Sequence, residues 1–288
     1  MRTETVRKSI SRQQALIITL AGVVIVYLLW NVDFLSGVAY PLRLFVTYIH
    51  EAGHGLAAIL TGGEIIQFTV SPNGSGLATT AGGSRLVILP AGYLGATLFG
   101  SVLFYLINRH PNWARGLAVV LGIALIIFTV LYARPDDGGA PTALLVGLAI
   151  GAGLTAIGLR LSIRTNLLVL SVLAIMTSLH AVLDITWLVR YADVCNTRVC
   201  NDAYAFHEAV GGIIPAAFWA LLWAAITIVI TWTAVYYSVL RPLLRGDKRQ
   251  PLRPEADNSS AEEQHRTRKS ADPLAGIKRD KDGEIDWS

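Results

Sequence analysis

A chain of 288 residues with 53% hydrophobic and only 15% charged side chains, at a mean hydropathy of +0.51, is too apolar for an ordinary soluble domain. Its net charge of +4 is no nucleic-acid footprint, because residues 241–288 carry 11 Lys/Arg and 10 Asp/Glu against 13 and 10 in all the residues before them. Two cysteines, Cys195 and Cys200, are too few for a disulfide framework.

In chain order, a basic arm (residues 1–14, with Arg2, Arg7, Lys8 and Arg12) precedes an apolar run that continues without a small-residue cleavage site, which reads as an uncleaved anchor. Apolar runs follow at 15–35, 38–60, 86–107, 116–133, 142–159, 166–190 and 213–239. A bilayer core of about 30 Å takes roughly 20 helical residues, so these runs predict an all-α polytopic membrane protein of about seven transmembrane helices. The expected location is a plasma (inner) membrane, and the expected partners are the lipid bilayer and other membrane proteins. Tyr27, Trp30, Trp113, Trp187, Tyr191, Tyr236 and Tyr237 gather near predicted helix ends, as interfacial aromatics do. Lys/Arg flanks balance, so only the basic arm places the N-terminus inside.

Residues 63–85 differ in kind. Ile65–Val70, then Ser71-Pro72-Asn73-Gly74-Ser75-Gly76, then Leu77–Thr80 read as strand, turn and strand, a β-hairpin inserted in the membrane-embedded domain of residues 15–240. The charged tail, 241–288, has almost nothing to bury and is expected to be disordered.

The chemistry lies in Ile49-His50-Glu51-Ala52-Gly53-His54-Gly55, inside the second apolar run. On a helix His50 and His54 stack one turn apart, and Glu51 lies about 100° from the first and about 60° from the second, within one arc. This is H-E-x-x-H, in which two imidazoles bind Zn²⁺ and the glutamate acts as general base. Ionisable groups are costly in a span and mark function there. Gly53, Gly55, Gly62 and Gly63 weaken the helix but let a neighbouring backbone approach.

A hydrolytic zinc keeps three protein ligands and one open position, so a third ligand must come from elsewhere. Asp184 is the clearest remaining acid within a predicted span, and with seven spans it shares the depth of the two histidines. That ranks it above Asp193 and Asp202 in the following loop. His180, one turn before Asp184 and on the same face, reads as a hydrogen-bond partner of a metal ligand, an alternative ligand or a transition-state donor, with a plain hydrogen-bonded core histidine as the alternative. His207, in Asn201-Asp202-Ala203-Tyr204-Ala205-Phe206-His207-Glu208, is a looser candidate of the same kind on a helix start at the membrane surface. Cys195 and Cys200 share one polar loop and read as idle thiols, a local disulfide or half a metal site.

H-E-x-x-H in a membrane helix, then a small hairpin, the glycine-rich PAGYLGATLFG and a later Leu-Asp in LHAVLDI, resembles the site-2 protease class of intramembrane zinc metalloproteases. The closest likeness is to the branch usually called M-fifty-B-like peptidases, over about residues 45–225. The resemblance implies hydrolysis of peptide bonds in or near the bilayer, in transmembrane-segment or membrane-protein substrates. It implies His50, His54 and Asp184 as ligands of Zn²⁺ and Glu51 as the base. Two positions depart from better-known members: Ile185 stands where a glycine follows the aspartate, and PAGYLGATLFG lacks an asparagine. Two other classes fit the same residues, a catalytically inactive membrane scaffold and a metal or proton transporter. Glu51 counts against the scaffold, and the lack of an inverted repeat counts against the transporter.

Overall fold

The computed structural model describes residues 12–133, 142–190, 195–196 and 199–244, with the backbone alone at 12, 30, 180–190, 195–196 and 199–200. Residues 245–288 form a separate unit outside the described residues, and the expectation of a disordered tail falls there. The N-terminal arm up to residue 11 lies outside them too.

Helices occupy every predicted apolar run: α1 (Arg12–Asn31), α2 (Ser36–Leu60), α3 (Arg85–Arg109), α4 (Ala114–Tyr132), α5 (Thr142–Arg160) and α6 (Ile163–Arg190), with α8 (Ala216–Val235) after a short α7 (Asp202–Ala209). Beyond α8 the helix continues through a π-helical turn at Tyr236–Leu240 into α9 (Arg241–Leu244), four residues into the stretch read as tail.

The expected seven spans are not reproduced. Among the described residues four helices are long and apolar enough to cross a bilayer: Arg85–Arg109, Pro111–Tyr132, Thr142–Arg160 and Ala216–Leu244. There are five if Gln13–Leu29 and Asp33–Leu60 count as one broken span, for they meet at a 102° bend. The bend falls at Val32, whose extended backbone separates α1 from the 3₁₀ turn Asp33–Leu35 that leads into α2. Helix α6 runs over 28 residues, and its part with described side chains, Ile163–Leu179, is apolar.

Strands β1 (Glu64–Val70) and β2 (Gly76–Ala81) pair antiparallel, as expected, with Phe68 opposite Ala78 and Val70 opposite Gly76. A register irregularity between Ile65 and Gln67 resets the alternation, so that Phe68 and Val70 both face inward and are essentially fully buried. Phe68 packs edge-on against Tyr48 of α2 (4.9 Å between ring centroids) and Phe128 of α4 (5.3 Å). Behind them the Tyr48 hydroxyl meets Thr129 Oγ1 at 2.7 Å, so the buried phenol keeps a partner. Burying one such aromatic contributes about 1.5–3 kcal/mol, and this cluster plugs the hairpin into the helices. A second, two-rung ladder, β3 (Cys195–Asn196) with β4 (Val199–Cys200), sets Cys195 opposite Cys200 just before α7.

Helix α2 packs on α3, α3 packs on α6 and α8, and α7 sits against α3 and α8. The α2/α3 contact is a backbone-to-backbone approach, because a Cβ on Gly53 would collide with the Ala91 carbonyl oxygen.

Candidate metal centre

The catalytic-type turn of α2 is buried where it meets α3 and β2. His54 is 6% and Glu51 7% exposed, and His50 is partly buried. The Nδ1 atom of His54 lies 2.7 Å from the carbonyl oxygen of Ile88. A carbonyl only accepts, so Nδ1 carries the proton and the Nε2 lone pair points away from α3's backbone into the site, the tautomer a metal ligand needs.

Three donor atoms converge there. His54 Nε2 is 3.1 Å from His50 Nε2, and Asp202 Oδ2 is 3.2 Å from the first-named histidine pair's His50 nitrogen and 3.3 Å from that of His54. Ligands held about 2.0–2.1 Å from a tetrahedral ion stand about 3.3–3.4 Å apart, so the near-equilateral triangle has the size of one face of a zinc site. The chemistry fits as well: two imidazole nitrogens and one carboxylate oxygen make three protein ligands and leave a fourth position open. Space for an ion is kept by Gly92 of α3, where a Cβ would run into Nε2 of both His50 and His54.

Asp202 is the first residue of α7. Its neighbour Asn201 caps that helix, accepting the Tyr204 N–H on its side-chain oxygen at 2.8 Å. Eight residues cannot hold a helix unaided. The cap is helped by Phe206, wedged edge-on against Trp219 (4.8 Å) and Trp223 (5.4 Å) of α8, with Ala203 fully buried beside it. Tyr93 of α3 ties this cluster to the metal face, stacking on Trp223 at 6.3 Å and meeting the His50 ring edge-on at 4.6 Å. The helix then ends at Gly211 and Gly212, both with positive φ, where the His207 Nδ1–H donates to the Ile214 carbonyl at 2.7 Å.

Of the residues singled out from the sequence, the structure brings His50, Glu51 and His54 together. His207 closes the turn after α7 and is not among the converging donors. The side chains of His180 and Asp184 lie outside the described residues. The acid on the histidine pair among the described residues is Asp202, which the shared-depth argument ranked second. Its local signal was the Asn-Asp pair opening a helix, a cap followed by an acid in the first turn.

Glu51 accepts the backbone N–H of Ala78 in β2 and interacts electrostatically with His50, His54 and Asp202. A Cβ on Gly76 would meet its carboxylate. The hairpin therefore sits directly on this residue.

Two histidines and one carboxylate that could hold a metal ion, partly buried and with a glutamate beside them, lie in a chain whose described residues include four apolar helices long enough to cross a bilayer, or five with the bent pair, which is the class of a multi-pass membrane protein with a candidate metal centre. The family description Peptidase M50B-like matches residues 19–234, and the chain belongs to that family of membrane peptidases. No curated protein and no solved structure matches the chain.

Proposed function

We propose that the chain is a membrane-embedded zinc metallopeptidase that hydrolyses peptide bonds in or near the bilayer, with His50, His54 and Asp202 holding the ion and Glu51 as general base. The triangle of 3.1, 3.2 and 3.3 Å between the three donor atoms carries this reading. When bound, Zn²⁺ supplies polarisation of the scissile carbonyl and lowers the pKa of water toward about 7.

The chain's own residues supply the rest. Glu51 takes a proton from the attacking water and returns it to the nitrogen of the leaving amine. Its carboxylate is oriented for this by the Ala78 N–H. Ile88 keeps His54 in the ligating tautomer. The substrate must be extended, because a helix engages its carbonyls in its own hydrogen bonds. The two-stranded hairpin beside Glu51 has backbone groups along its edges with which an extended segment can pair. Transmembrane segments of other membrane proteins are the proposed substrate class.

Cleavage of a model transmembrane substrate by the zinc-loaded protein, wild type against Glu51→Gln, tests the assignment. The variant is expected to lose about 10²–10⁴-fold in turnover, with zinc content by mass spectrometry unchanged. Proteolysis persisting at the wild-type rate overturns the general-base role. A zinc-loaded wild type that cleaves nothing favours the scaffold reading.

A further inference from the structure

The hairpin is fastened to the catalytic helix by side chains that no motif singles out. Tyr40, Thr47 and Glu51 are separated by seven and then four residues, which places them within about 40° of one another on α2. The Tyr40 hydroxyl donates to the Pro72 carbonyl at 2.7 Å, and the Thr47 hydroxyl donates to the Gly74 carbonyl at 2.9 Å. Further along the same stripe Glu51 accepts the Ala78 N–H, with Gly76 against its carboxylate. Hairpin residues 72, 74 and 76–78 thus meet helix residues 40, 47 and 51 in order.

The turn is built to present those carbonyls. Gly74 adopts φ +91° with open space where a Cβ would stand, so glycine is required there by backbone conformation. The Gly74 N–H donates to the Ser71 carbonyl at 2.9 Å, and Asn73 Oδ1 accepts from the Ser75 N–H at 3.0 Å, which stiffens the loop. Burial of Phe68 and Val70 attaches the hairpin to the helices. Burial is non-directional and does not fix how far β2 lies along α2, whereas hydrogen bonds at two heights do.

We infer that Tyr40 and Thr47 are positioning residues for Glu51 and act through the hairpin. They set the height of the turn on α2, and the turn sets where Gly76 and Ala78 meet the carboxylate. The effect on turnover rests on the peptidase reading above; the docking itself does not.

The test uses the full chain in lipid nanodiscs, comparing wild type, the double variant Tyr40→Phe with Thr47→Val, Thr47→Val alone, and Thr47→Ser, which restores a hydroxyl. Hydrogen exchange of the amides of residues 72–80, Ala78 included, is expected to quicken about tenfold in the double variant. Zinc content stays at the wild-type level, and kcat on a transmembrane substrate drops about fivefold to tenfold with KM unchanged. Thr47→Ser rescues both exchange and kcat. Unchanged exchange in the double variant overturns the docking, and so does a Thr47→Ser protein whose exchange is as fast as that of Thr47→Val. Faster exchange with unchanged kcat overturns the positioning role. A wild type that cleaves nothing while the exchange difference persists counts against the peptidase reading and supports the docking.

Discussion

The two walls of the metal centre are built differently. On one side α2 and α3 meet over long helices whose backbones touch through Gly53 and Gly92, and His50 and His54 are placed by helix periodicity alone. On the other side Asp202 arrives on an eight-residue helix, held by an asparagine cap and by one phenylalanine between two tryptophans. The first wall is set by helix periodicity and by the backbone contact of α2 with α3. The second is a docked piece, and the ion would be one of the things that hold it in place, since a ligand that binds only the assembled site stabilises the assembly.

The largest effect should come from breaking the third ligand itself. Asp202→Ala leaves two imidazoles, and zinc content measured on the purified protein should fall as far as in His54→Ala. Asp184→Ala should keep its zinc. If instead Asp184→Ala empties the site and Asp202→Ala does not, the docked wall is not a metal wall, and the comparison fails at its root.

That test also bears on what was legible in the sequence. The His50, Glu51, His54 arc needed only a helical period, and the hairpin needed only the β-branched and aromatic residues of Ile65–Val70 and the turn Ser71–Gly76; the helix and the hairpin are both seen, with β1 at Glu64–Val70 and β2 at Gly76–Ala81. The third ligand depended on something else. Ranking Asp184 above Asp202 rested on depth in the membrane, which rested on counting seven spans; among the described residues four helices, or five with the bent pair, are long and apolar enough to cross, and the side chain of Asp184 lies outside them. What brings Asp202 to the histidines is Phe206 against Trp219 and Trp223, a contact between helices that no local period announces. Likewise the pairing of Tyr40 with Pro72 and of Thr47 with Gly74 depends on where the hairpin docks, and isolated Tyr and Thr in an apolar helix carry no such mark.

A smaller effect should separate space from docking. In Gly92→Ala the added methyl runs into Nε2 of both histidines, on the wall where Gly53 leaves no room for a Cβ beside Ala91. Zinc affinity is expected to drop by about 10–100-fold, the range seen when groups around a metal's ligands are disturbed, while helix content by circular dichroism stays the same. Full affinity in this variant would mean that α3 yields at this contact.

The smallest effect should fall on the docked piece. Asn201→Ala removes the side chain that accepts the Tyr204 N–H and should cost α7 about 1 kcal/mol. If α7 is held partly by the ion, that cost appears twice. Zinc affinity falls about fivefold, as 1 kcal/mol at a linked equilibrium requires, and hydrogen exchange in residues 202–209 rises more in the zinc-free protein than in the zinc-loaded one. Exchange in α2 at residues 48–56 should not change in either form. Equal exchange in α7 with and without zinc would show that the aromatic wedge alone fixes Asp202, in which case both walls are preformed and the difference between them is only one of length.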